Sequence, residues 1–235
     1  MRRFILIPIV LLMSSCEMWK GQQISLSVLS DRTDPSITLP QAEDILGLMG
    51  LDTEPNTGVD FNFKVIGNVD YSPTQSLQLK THSLWDNDFQ RTSNVQGFLT
   101  SVDTLLIREN QKDYKFNSSS ILRPLLEQLK AVKGSNATQK AVVLYSDLQE
   151  ISDVMNVVDA RQKKLLMESP LLVAEKIKTK VMVPELNGVY LYIIHYPTTR
   201  KDNRDFRAML EVYRHLFEGA GLQIEIGLHH KKIGV

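Results

Sequence analysis

Ile24-Ser25-Leu26-Ser27-Val28-Leu29-Ser30-Asp31 and Ala141-Val142-Val143-Leu144-Tyr145-Ser146-Asp147 are two apolar runs that end in the same dipeptide, Ser-Asp. A strand buried on both faces of a parallel sheet reads as a near-continuous aliphatic run. Open α/β sheets gather their functional groups just beyond the carboxyl ends of such strands. If these two are neighbours, Asp31 and Asp147 share one rim and lie close enough to hold a hard cation. That constellation points to a binding site more than to a catalytic one.

Around the two runs, strand and helix patterns alternate. Pro40 suits a first helical turn, and Gln41–Met49 reads as a short helix stopped by Gly50. Val59–Ile66 and Ser76–Thr81 carry apolar residues at every second position and are expected to form an antiparallel pair at a sheet edge. Val95, Phe98, Leu99, Val102, Leu105 and Leu106 make one stripe of an amphipathic helix. Ile121–Val132 reads as the next helix. Its Pro124 is tolerable only in the first turn, which places the cap at Ser119 or Ser120. Leu165–Lys178 is expected as one helix, Gly188–Tyr196 as a third strong strand, Phe206–Phe217 as a helix, and Leu222–Ile226 as a last short strand. Such alternation implies βαβ crossovers. The expected fold is α/β: a doubly wound, mostly parallel sheet with helices on both faces, Rossmann-like, with residues 24–235 as a single domain.

The start of the chain has a different composition. Arg2 and Arg3 precede the apolar stretch Phe4–Met13, which is too short to span a bilayer, and Ser14 and Ser15 are small residues suited to a cleavage point. Met13-Ser14-Ser15-Cys16 resembles a bacterial lipobox, with Met13 where Leu is usual. The resemblance implies a signal peptide over residues 1–15 and a lipid-modified Cys16. Cys16 is the single cysteine, so no internal disulfide can form, and acylation accounts for an unpaired thiol in an exported chain. Each buried acyl CH₂ contributes roughly 0.8 kcal/mol of membrane affinity, so an acylated cysteine holds a domain without a spanning helix. Residues 16–23 are then the anchor and a polar tether, brief enough to keep the domain close to the membrane. Without residues 1–15 the chain carries 25 basic and 27 acidic side chains. No basic stripe points to nucleic acid.

Three loops offer oxygen ligands at the expected rim: Asp31-Arg32-Thr33-Asp34-Pro35-Ser36, the cluster Ser118-Ser119-Ser120, and Ser146-Asp147. Carboxylates and hydroxyls suit Mg²⁺ or Mn²⁺, and Ca²⁺ as well; an incomplete shell leaves a coordination place for a partner. In these residues the chain resembles a von Willebrand factor A-type domain. The metal-ion-dependent adhesion site of that family combines Asp-x-Ser-x-Ser after the first strand, a Thr from a second loop and an Asp after a later strand. The resemblance assigns metal ligation to Asp31, Thr33, Ser119 and Asp147. Two departures stand out: Pro35 takes the place of the third hydroxyl, with Asp34 or Ser36 as geometric substitutes, and Leu148 takes that of the usual glycine. The same residue types also serve ordinary turns and caps, as Asp34-Pro35 and Ser119 do.

Other candidates carry less. His229 and His230 would face opposite sides of a strand, His195 and Tyr196 read as a packed, hydrogen-bonded pair, and Glu150 as the start of a helix. Trp19 and Trp85 stand apart from each other, and the acceptor patterns at Asn117 and Asn136 mean little in a bacterial chain. There is no nucleophile elbow, Gly-rich phosphate loop or His-Glu-x-x-His motif. The expected function is a lipid-anchored binding module of the bacterial cell envelope, periplasmic or surface-exposed. It is not expected to be an enzyme, and it contacts an envelope or extracellular protein through an intact or degenerate metal site. The alternatives are a metal-dependent envelope hydrolase with His195 as base, and a metal-free structural lipoprotein.

Overall fold

The computed structural model describes residues 22–67, 73–83, 87–116, 118–228 and 233. Cys16, both tryptophans, Asn117, His229 and His230 lie outside them, so the expectations attached to those residues do too. A six-stranded sheet forms from β1 (Gln23–Asp31), β2 (Gly58–Ile66), β3 (Gln75–Leu79), β4 (Gln139–Tyr145), β5 (Tyr190–Ile194) and β6 (Gln223–Ile226), in the order β3-β2-β1-β4-β5-β6. All neighbours are parallel except β2 and β3, which pair antiparallel at one edge, as the alternating sequences implied. The aliphatic runs therefore become the two central strands, with Ser30 opposite Tyr145.

Side chains alternate across this sheet and feed two cores. Ile24, Leu26, Val28, Ala141, Val143 and Tyr145 face one side. They meet α1 (Ala42–Met49) and α2 (Asp88–Asn110) through Ile45, Leu48, Val95, Phe98 and Val102. Leu29, Val142, Leu144, Leu191 and Ile193 face the other. There they meet α3 (Leu122–Gly134), α4 (Ala160–Glu168), α5 (Pro170–Lys178) and α6 (Arg200–Phe217). Gly50 ends α1 in the left-handed conformation, at φ 60°, where a Cβ would be strained.

Two local expectations are corrected. The helix expected over Leu165–Lys178 is two helices: Ser169 leaves helical dihedrals and Pro170, which has no N–H to give, opens α5. β1 also starts one residue earlier than expected, at Gln23.

The end of the sheet where the parallel strands begin, the base, is pinned by a buried arginine. Arg91, near the start of α2, donates to the backbone carbonyls of Pro55, Thr57 and Lys80 at 2.5–2.6 Å. Arg91→Ala is expected to remove the donor from three carbonyls, of which that of Thr57 is buried, and to destabilise the domain by about 2 kcal/mol in chemical denaturation.

Candidate functional site

The strand order reverses between β1 and β4, and both Ser-Asp dipeptides end at that switch point, the place where open α/β sheets bind ligands. Asp31 is fully buried there. Its Oδ2 accepts a hydrogen bond from Ser146 Oγ at 2.7 Å, and its Oδ1 accepts from Thr33 Oγ1 at 2.6 Å and Thr33 N at 3.1 Å. Thr33 Oγ1 in turn lies 3.4 Å from Ser119 Oγ. Three chain segments, the first and last of them 115 residues apart, thus meet in one polar chain. Asp147 is half-buried and accepts from Gln149 N at 2.9 Å. It lines a recess of about 470 Å³ together with Thr33, Ser118, Ser119, Lys163 and Lys201.

Burial raises both carboxyls. That of Asp31 is pushed up by burial against the hydrogen bonds from Thr33 and Ser146. That of Asp147 is pushed up to about 6, by burial first and by the charge of Asp31 as well, against the Gln149 amide. Carboxyls and hydroxyls are the groups a hard divalent cation prefers, and of the four residues Thr33, Ser119 and Asp147 line the recess while Asp31 is fully buried behind Thr33 and Ser146. The third ligand position is a different matter. Asp34 is exposed and turned onto its own loop, accepting from Ser36 N at 2.7 Å and Ser36 Oγ at 2.6 Å, so neither proposed substitute for the missing hydroxyl is directed at Asp31. Among the described residues no group of three or more His, Cys, Asp or Glu side chains could hold a metal. A site here relies on hydroxyls.

The loop after β1 is held in place by Arg32. Its guanidinium donates to the carbonyls of Glu109, Asn110 and Lys112 at 3.1–3.4 Å, capping the C-terminal end of α2, and it lies 5.3 Å from the centre of the Tyr114 ring. Beneath it sits the buried carboxylate of Glu109. Burial works against that charge, but hydrogen bonds from Lys112, Tyr114 and Gln75 overcome it and bring its pKa down to about 2.

Glu150 was expected to begin a helix, and Ser119 or Ser120 to cap α3. Neither holds. Glu150 is 2% exposed, and its Oε2 accepts from the backbone amides of Ile121 and Leu122 at 3.0 and 2.9 Å, while Ser152 Oγ bonds its other oxygen. A carboxylate from the loop after β4 therefore caps α3, where partial positive charge favours it. That frees Ser119 to face Thr33. Pro124 does fall in the first turn, as expected. Backbone bonds between Ser119 and Ile151, at 2.8 and 3.3 Å, tie the same two loops together. No local pattern revealed this, since cap and helix lie about thirty residues apart.

His195 is buried, tilted against Phe206, and bonded through Nε2 to Asp202 Oδ1 at 3.0 Å. Its partner is thus the first turn of α6 rather than Tyr196, which is exposed, and His195 does not line the recess. Lys163 is paired with Asp205 at 2.7 Å, whereas Lys201 has no such partner among the described residues.

No protein-family model matches this chain, and no curated protein matches it. Among solved structures, the D319A mutant of the PilB minor pilin from Streptococcus sanguinis is similar at 8% identity and a TM-score of 0.48. The match covers 90% of this chain and 59% of that one.

Two outcomes are expected. Glu150→Ala leaves two buried amides uncapped and lowers stability by about 3 kcal/mol in denaturant titration, while Glu150→Gln, which keeps an acceptor oxygen, loses less. The Asp147 carboxyl is higher in the folded than in the unfolded chain, so it favours folding below its unfolded value near 3.8 and loses that contribution as pH rises through about 6. Asp147→Asn is therefore expected to stabilise the metal-free protein at pH 7 by about 1–3 kcal/mol and to flatten its stability between pH 4 and 6.

Proposed function

We propose that this chain is a lipid-anchored envelope binding module of von Willebrand factor A type, whose adhesion-type metal site contacts another envelope or extracellular protein. The observation that carries the reading is the convergence of Asp31, Thr33, Ser119 and Asp147 at the β1/β4 switch point. The sheet order and the single antiparallel edge strand support it, and so does the match to the motif positions after β1 and β4. Asp31 and Asp147 serve as carboxylate ligands, with Thr33 and Ser119 as hydroxyl ligands. Mg²⁺ or Mn²⁺, or Ca²⁺ in their place, supplies an open coordination position for a carboxylate of the partner when bound. Pro35 leaves the shell one hydroxyl short, so the affinity expected is lower than for a complete motif.

The hydrolase reading needs a general base facing the recess. His195, the residue proposed for that role, is buried, bonded to Asp202 and not part of the recess lining. The recess does hold two lysines, which suit capture of an anionic group from a partner. This favours binding over turnover.

A cation that binds only the folded state stabilises it by mass action: about 2.7 kcal/mol at a hundredfold excess over Kd, or roughly 5–10 °C for a domain of this size. Mg²⁺ or Mn²⁺ is expected to raise the melting temperature of the wild-type protein, and Asp31→Ala to abolish the rise. A shift that survives the substitution places the metal elsewhere. Absence of any shift in the wild type favours the metal-free structural reading, and chelator-sensitive turnover in a phosphatase and esterase screen favours the hydrolase.

A further inference from the structure

Parallel strands give this domain two unlike ends. Asp31 closes β1 at the rim and Gln23 opens it at the base, eight residues away, a separation of about 26 Å. The tether leaves from the base. Only six residues lie between Cys16 and Gln23, so even fully extended they keep the start of β1 within about 25 Å of an acylated cysteine.

The two most exposed large apolar side chains among the described residues stand at the same end. Phe89, 82% exposed, is the second residue of α2, where its neighbour Arg91 is fastened to the loops that flank β2 and β3 at the base. Met182, 86% exposed, shares a recess with Leu216, Gly219 and Ala220 at the C-terminal end of α6, next to the start of β6. The first lies on the β2/β3 side of the sheet and the second on the β5/β6 side, with β1 and its tether between them. Single exposed apolar residues are ordinary. What distinguishes this pair is its position on either side of the point where the chain leaves for the membrane.

We propose that the base of the domain is a membrane-contact face, on which Phe89 and Met182 enter the interfacial layer of a phospholipid bilayer while the Asp31/Asp147 rim is presented away from it. The inference rests on the anchor at Cys16. Charges at the base are mixed: Lys80 and Lys178 stand among Asp88, Glu185 and Glu218. The contact is therefore apolar and indifferent to headgroup charge and salt, as burial of Phe and Met side chains in the headgroup–acyl boundary requires.

The test uses the full acylated chain reconstituted into phosphatidylcholine vesicles, with a single fluorophore attached at F89C, M182C, V158C or Y196C. All four positions are exposed, so labelling leaves the core intact. Vesicle flotation reports the anchor, and quenching by brominated lipid reports depth. The expected result is flotation of all four, with severalfold stronger quenching at 89 and 182 than at 158 and 196, unchanged in high salt. Flotation with equal, weak quenching at all four positions overturns the membrane-contact face and leaves the anchor standing. Failure to float removes the anchor and the inference with it.

Discussion

The bond from Ser146 to the buried carboxylate of Asp31 links the two central strands where the sheet changes direction, and the rest of the rim is built around it. A carboxylate inside a protein is tolerated only when its lone pairs are satisfied. Here three donors do so, one from the strand next door and two from Thr33. Those same donors fix the path of the loop after β1. Thr33, once bound to Asp31, is held beside Ser119, and Ser119 is free to face it because Glu150 has taken over the capping of α3. One buried charge thus orders three loops.

The second buried carboxylate shows why this arrangement is rigid. Glu150 and the Ser119–Ile151 bridge couple the loop after β4 to the start of α3, while Arg32 couples the loop after β1 to the end of α2. Loops anchored in this way on both sides of the sheet are ordered by the protein's own bonds. Under the proposed binding role, such order would lower the entropic cost of taking up a partner.

The strands were legible because burial on both faces leaves its mark in composition: Ile24–Leu29 and Ala141–Tyr145 stand out as apolar runs, and the alternating β2 and β3 declare an edge. Asp31, Thr33 and Asp147 were legible for the same reason, as the residues that follow such runs. Glu150 was not, because its partners lie 28 and 29 positions away and no periodic signal connects them. The break between α4 and α5 was present in the sequence as Ser169-Pro170. The apolar spacing that continues across it, through Leu166 to Val173, Ala174 and Ile177, masks that break. His195 and Asp202 illustrate a middle case. His195 was visible at a strand end, whereas Asp202 lies ahead of the helix expected from Phe206, and their bond depends on how α6, which starts at Arg200, docks against β5.

Pro35 remains the departure that matters most for chemistry, and its neighbours indicate what it does. The Asp34–Ser36 pair is exposed and strictly local, so opening it costs no more than about 1 kcal/mol per hydrogen bond. Asp31 and Ser119, by contrast, are buried and cross-linked to other elements. The loop therefore divides into a half fixed by buried bonds, Asp31 and Thr33, and a half, Asp34 to Ser36, held only by its own exposed bonds around Pro35. Proline supplies no ligand, but its restricted φ limits the paths open to that second half. Thr33 and Ser119 are thus held by the buried network, while the exposed Asp34–Ser36 pair can open without disturbing it.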